Sequence, residues 1–220
     1  MDIFKYDLYG GPNVGIYARA NNECVFLPNG FATTKAEHIE EYLGVVAHYV
    51  AVANTRLIGT MMIMNNKGML LPKTCSKDEM EFFKSISGLN VGILDTKYTA
   101  LGNMICANDN GAVISPLLTK EDGEKVSDIL GVEVVHKRIA GYNQVGAVIS
   151  ATSKGAIIHP ESNDEDLKIS ADILKVDIEQ ATINGGVPFV SSGILANARS
   201  IITGSFTTGP EIMMLTRAFT

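Results

Sequence analysis

The sequence predicts an α+β fold, a closed ring of five similar ββαβ units that together make one domain. Two observations predict the repeat. Prolines fall at Pro28, Pro72, Pro116 and Pro160, each 44 residues after the last, and Gly204 stands 44 beyond Pro160. Glycines lead these prolines by 13 or 14 residues, at Gly15, Gly59, Gly102 and Gly146. A fixed period of this length marks a repeat architecture, and one such unit buries too little core to stand alone. A third observation predicts closure: the fifth unit stops at its helix, while the N-terminus offers a spare strand.

Each unit opens with apolar residues around its glycine, in residues 13–28, 58–72, 101–116 and 145–160, with a degenerate fifth copy at 190–204. Polar turn-formers divide each stretch: Asn21 with Asn22, Asn65 with Asn66, then residues 108–110, 152–154 and 197–199. Apolar, turn, apolar is the pattern of a β-hairpin. The methionines at 61, 62 and 64 fall inside one such predicted strand.

A helix follows each hairpin. Its start carries Ser or Thr with an acid three residues on: Thr34 with Glu37, Ser76 with Glu79, Thr119 with Asp122, Ser162 with Glu165, Thr208 with Glu211. That is a capping box, loosest where Asp replaces Glu in the third copy. The acids suit the positive end of the helix dipole and are read as helix-start residues rather than catalytic ones. Apolar residues recur at helical spacing, at Ile39 and Leu43, Met80 and Phe83, Val126 with Ile129 or Leu130, Leu167 and Leu174, Ile212 and Leu215. Gly44, Gly88 and Gly131 stop three of the helices.

A third apolar strand completes each unit, at residues 45–52, 89–94, 132–137 and 176–181. The fifth unit lacks one. Residues 3–8 alternate apolar and polar at strand period and supply it, which removes two open sheet edges. The units run 13–56, 57–99, 100–143, 144–188 and 189–220 plus strand 3–8, one domain over 1–220. A propeller blade has a similar period, but five capped helices argue against it.

Composition narrows the function classes. The chain has 220 residues, 46% hydrophobic, and a net charge of −6, which argues against a wide grip on bare nucleic acid. Three cysteines, Cys24, Cys75 and Cys106, without a CxxC, fit a reducing cytoplasm. No apolar run has membrane length and the N-terminus lacks a secretory pattern. No histidines or cysteines fall at metal-ligand spacing, and Asp109 in the run 108–111 is read as a turn residue, not a calcium ligand. Lys137, Arg138, Arg199 and Arg217 are read as solvated charges.

The five-unit ring is the pentein arrangement, and within it the chain resembles the archaeal and eukaryotic translation initiation factor 6 family. The match is carried by Leu101-Gly102-Asn103 with Asn108-Asp109, by residues 65–72 and 155–160, by Asn184-Gly185-Gly186, Gly193 and Asn197, and by the helix start at Thr208. It spans residues 3–219, and the missing C-terminal extension makes it resemble the archaeal form. The resemblance implies a ribosome anti-association factor. Such a protein binds the large ribosomal subunit, mainly through a ribosomal protein near the sarcin-ricin loop and with minor contact to ribosomal RNA. It blocks premature joining of the small subunit and is linked to large-subunit maturation. It implies no enzyme activity, no cofactor, no metal and no membrane, in a cytoplasmic monomer.

Two alternatives stand beside it. Other penteins modify guanidino groups with a Cys-His-acid set, which needs a thiolate and a histidine to serve it. Here no cysteine lies in the last repeat, and His38, His48, His136 and His159 sit on a helix face, in strands and at a strand end. The other alternative is a scaffold for a non-ribosomal partner. For the ribosome-binding surface the stretch around the opening glycines offers Asn13, Thr60, Asn103, Gln144 and Ser191, small or uncharged side chains of the kind an interface centre prefers.

Overall fold

Four of the five units repeat one pattern: a short helical turn, an antiparallel strand pair, a longer helix, and a third strand parallel to the second. The fifth follows it with a 3-10 turn and borrows its third strand from the N-terminus. This is a computed structural model and it describes residues 1–85 and 89–219. The chain begins with β1 (Asp2–Lys5). Unit one is α1 (Val14–Tyr17), β2 (Arg19–Ala20), β3 (Cys24–Pro28), α2 (Thr33–Leu43) and β4 (Val46–Val50). Unit two is α3 (Ile58–Met61), β5 (Ile63–Met64), β6 (Gly68–Pro72), α4 (Lys77–Ser85) and β7 (Asn90–Leu94). Unit three is α5 (Leu101–Met104), β8 (Ile105–Ala107), β9 (Gly111–Ile114), α6 (Lys120–Leu130) and β10 (Glu133–His136). Unit four is α7 (Val145–Val148), β11 (Ile149–Ala151), β12 (Ala156–Ile158), α8 (Asp164–Leu174) and β13 (Ile178–Gln180). Unit five is the 3-10 turn Val190–Gly193, β14 (Ile194–Ala196), β15 (Ser200–Thr203) and α9 (Gly209–Ala218).

The result is a mixed α+β fold of five three-stranded sheets. β1 pairs parallel with β15, Asp2 opposite Ser200 through Lys5 opposite Thr203, and so takes the place that β4, β7, β10 and β13 take in the other units. The hydrophobic core is split the same way. One cluster joins units one and two around Phe26, Met69 and Phe83, and another joins two and three around Leu70, Ile114 and Leu130. Units three and four share Val113, Ile158 and Leu174; four and five share Ile157, Ile201 and Leu215. The last cluster packs Leu195 and Ile202 of unit five against Val25, Leu27, Ile39 and Leu43 of unit one. Each buried Leu or Ile of these helix faces contributes about 1.5–3 kcal/mol by leaving water, so no unit is complete without its neighbour.

The hairpin turns carry a second set of links. Asn21 donates to the main-chain oxygen of Asn65, Asn65 to that of Asn108, and Asn108 to that of Thr152, over 44, 43 and 44 residues. Asn197 then donates to Asn21 O. These bonds give the true register of the units, and it corrects the proline spacing. Pro28 and Pro72 end β3 and β6, but the corresponding positions in units three, four and five are Ser115, His159 and Gly204, each of which accepts the N–H three residues on, as Pro28 does from Phe31. Pro116 and Pro160 stand one residue further.

Other sequence expectations shift as well. Each opening run is not all strand: its first half is a helical turn, and Met61 belongs to α3 rather than to a strand. The boxes at Ser76/Glu79 and Thr119/Asp122 form as expected, the latter complete despite its Asp. In unit four the cap is Asn163 with Asp166, not Ser162 with Glu165, and the N-cap of α2 is Ala32, which offers no side-chain cap, so Thr34 and Glu37 do not form a box. Gly44 and Gly131 close their helices with left-handed backbone; Gly88 lies outside the described residues, and Lys175 takes the left-handed position after α8. Among the described residues no helix is long and apolar enough to cross a membrane.

Candidate docking face

The two ends of the sheets differ in chemistry. The helical turn starts the first strand, the second strand runs back antiparallel, and the long helix starts where the second strand ends. Helical turns, inter-unit loops and helix N-termini therefore gather at one end. The Asn hairpins gather at the other, where Asn65, Asn108 and Asn197 cap the last carbonyls of α6, α8 and α2 at Leu130, Leu174 and Leu43.

At the first end the opening glycines are a packing requirement. A Cβ on Gly59 would land on the carbonyl oxygen of Gly15, one on Gly102 on that of Gly59, and one on Gly146 on that of Gly102. Gly15 in turn meets Ser191 O of unit five. In the first four units the helical turns thus approach the preceding turn backbone to backbone, and no side chain fits at their glycines; unit five has Ser191 at this position.

The loops that enter these turns reverse sharply, with positive φ at Tyr9, Ala53, Asn54, Ala140 and Asn184. Three acids of the helix starts hold them. Glu79 accepts from Ala53 N and Asn54 N at 3.1 and 2.9 Å, Asp166 from Ala140 N at 3.0 Å, and Glu211 from Gly185 N and Gly186 N at 3.0 and 2.8 Å. Glu211 also takes the hydroxyl of Thr182 and both the N–H and hydroxyl of Thr208. Burial pushes its pKa up, but these hydrogen bonds outweigh it and hold the carboxyl down at about 2. At this end Lys137 is not a free charge: it pairs with Glu165 at 2.9 Å. Arg199, at the Asn-hairpin end, bonds Gly44 O at 2.7 Å.

Asn13, Thr60, Asn103, Gln144 and Ser191 all lie at this end, but they occupy three register positions rather than one. Asn13 and Gln144 are exposed and immediately precede α1 and α7. Thr60 and Asn103 follow the glycines of α3 and α5 and are half-buried; the Thr60 hydroxyl bonds Leu57 O at 3.0 Å. Ser191 stands where the other units have their glycine. Aligning by turn register brings in residues that the sequence reading missed. The register of Asn13 and Gln144 is filled in units two and five by Leu57 and Phe189, 41% and 39% exposed. Phe206 at 67%, Tyr9 at 43% and Leu117 add apolar surface from adjoining loops. Phe189 meets Tyr142 edge-on at 5.4 Å, and the Arg56 guanidinium lies 5.9 Å over the Tyr9 ring. Apolar and aromatic side chains beside amides, with little net charge, are the composition of a protein-binding surface.

The thiols are not poised for chemistry. Burial pushes Cys24 and Cys106 up to about 12 and Cys75 up to about 11, so all three are protonated at neutral pH. Burial also lowers the pKa of His159, whose Nδ1 accepts the Glu161 N–H at 3.1 Å. Among the described residues no group of three or more His, Cys, Asp or Glu is placed to hold a metal ion.

Comparison with known proteins finds sequence matches over the whole chain. The sequence model of the eIF-6 family matches residues 3–218. Translation initiation factor 6 of Cenarchaeum symbiosum (strain A) is 66% identical over 219 residues, covering 100% of this chain and 99% of that protein. Translation initiation factor 6 of Nitrosopumilus maritimus (strain SCM1) is likewise 66% identical over 219 residues, with the same coverage. The protein of that name from Pyrococcus furiosus is 42% identical over 223 residues, covering 99% and 98%. A match of that length and identity means that the chain belongs to the eIF-6 family.

Proposed function

We propose that this protein is a translation initiation factor that binds the large ribosomal subunit and sterically prevents its premature association with the small subunit. The observation that carries the reading is the full-length likeness to proteins named translation initiation factor 6. The five units close into a single pentein domain, 1–220, and present the glycine-turn end to the ribosome through Asn13, Thr60, Asn103, Gln144 and Ser191, with Leu57 and Phe189 beside them. A chain of net charge −6 docks on a ribosomal protein near the sarcin-ricin loop and touches ribosomal RNA only marginally. It acts in the cytoplasm as a monomer, takes no part in catalysis, and also serves large-subunit maturation. The protonated thiols support the absence of guanidino chemistry, which needs a thiolate.

The test is co-sedimentation with purified large subunits, followed by light scattering as small subunits are added. Stoichiometric binding and a matching loss of subunit joining, without added nucleotide, is the expected result. Joining that proceeds unhindered, or inhibition that needs GTP, would overturn the steric reading.

A further inference from the structure

One cavity, of about 50 Å³, is lined by all five units, through the first strands of their hairpins. Its only charged lining residue is Arg19, and its other polar side chains are Cys106 and Ser150. The Arg19 guanidinium reaches from β2 under the turns of units two and three. One NH2 group donates to Gly59 O at 2.5 Å, and a Cβ on Gly102 would strike the same group. Its Nε is buried and has no hydrogen-bond partner. Among the described residues no carboxylate pairs with it. A guanidinium stays charged at any ordinary pH, so this is a partly buried cation whose Nε is a buried, idle donor, with no counter-charge beside it among the described residues.

The cavity meets the glycine turns at Gly146 and at its other end adjoins the pocket between the Asn hairpins. The two are separated by one residue from each unit, Ala20, Met64, Ala107, Ala151 and Ala196, which line both the cavity and the pocket between the hairpins. Four alanines leave a narrow way in. Charge selects the occupant: a single fixed positive charge balances a monoanion and leaves a dianion uncompensated, and the volume admits a small ion together with a few waters.

We propose that the cavity is an internal site for a small inorganic monoanion of the chloride class, held by Arg19 Nε and reached from the Asn-hairpin end. The bound ion is the missing counter-charge and ties unit one to the strands opposite. Because it sits behind the glycine turns, it does not depend on what docks on their outer surface.

Two measurements on the full chain test this. The first is thermal unfolding in sodium chloride and in sodium gluconate at equal ionic strength. The midpoint should be higher in chloride and rise with the logarithm of its concentration, as binding to the folded state alone requires. In Arg19→Met the difference between the two salts should vanish. The second uses the wild-type protein crystallised in sodium bromide, where anomalous density should mark one ion beside Arg19 Nε. Equal midpoints in the two salts, an equal chloride response in Arg19→Met, or bromide crystals with only water at Nε would each overturn the proposal. A rise in sodium sulfate equal to that in chloride would overturn the choice of a monoanion.

Discussion

Asn197 donates its Nδ2 hydrogen to the main-chain oxygen of Asn21 at 3.2 Å, across 176 residues, and so repeats the bond that Asn21 itself makes to Asn65 at 3.2 Å. The same side chain caps Leu43 O and accepts Arg199 N–H and Ser200 N–H within its own turn. All of these groups are buried or nearly so, where an unpaired donor or acceptor is expensive.

Asn197→Ala removes this junction between the last and first units. Leaving Asn21 O and Leu43 O unpaired should destabilise the fold by about 2–4 kcal/mol. Urea unfolding gives the number; a loss within error of zero would mean that the link is incidental.

Thr152 is the one gap in the series, since it has no amide to pass on. In its register Asn65 and Asn108 each cap a helix of the next unit. Thr152→Asn should add such a bond and stabilise by roughly 0.5–1 kcal/mol. A fall in melting temperature would show that the neighbouring backbone leaves no room for the amide.

Removing residues 1–8 deletes β1, the Phe4–Tyr42 stack at 4.2 Å and the fully buried Leu8. Leu8 alone represents about 1.5–3 kcal/mol of burial, and β15 becomes an open edge. The whole domain should melt at lower temperature in one transition. An unchanged midpoint would contradict the role given to this strand.

Glu211 sets a pH dependence. Its folded pKa of about 2 lies below the usual value of about 4.3 for a free glutamate. Its contribution to stability is therefore complete above that usual value and is lost as pH falls from there through 2. The amount is on the order of 2–3 kcal/mol. Glu211→Gln should be less stable at neutral pH and should show a flatter decline across that acid window. Parallel pH profiles for the two proteins would rule this out.

Asn103→Arg and Thr60→Arg place bulk and charge at the glycine-turn end without touching a core side chain. If these residues lie in the centre of the interface, each should weaken large-subunit binding by roughly 1–3 kcal/mol while circular dichroism stays unchanged. Full co-sedimentation by both variants would move the docking surface to another part of the molecule.

The repeat, the order of strands and long helices and the borrowed N-terminal strand were legible in the sequence, because periodic apolar residues and Asn turns are local signals. The register was not, because Pro116 and Pro160 keep the period while the hydrogen-bonded positions drift by one residue. The helical turns at the opening glycines were hidden for a different reason. Four residues such as 14–17 are too few to show a helical period, and only the neighbouring backbone decides their conformation. Of the proposed docking residues, Asn13 and Gln144 fall in one register and Thr60 and Asn103 in another, and the exposed Leu57 and Phe189 appear only once that register is known. Arg19 gave no signal at all. A lone basic residue in a two-residue strand looks like surface until the other four units are placed around it.

The pairing of residues 2–5 with residues 200–203 also fixes a timetable. The strand β1 leaves the ribosome well before β15 and finds its place only once that partner, about 200 residues later, has been made. Units two to four can gather in order as they emerge, each on the one before. Until β15 arrives, the outer faces of the first and the last unit are both uncovered, and Val25, Leu27, Ile39 and Leu43 wait for Leu195 and Ile202. A ribosome that stalls short of residue 200 would therefore release not a slightly frayed protein but one with two sticky ends, and a chain that pauses there is the form most in need of a chaperone.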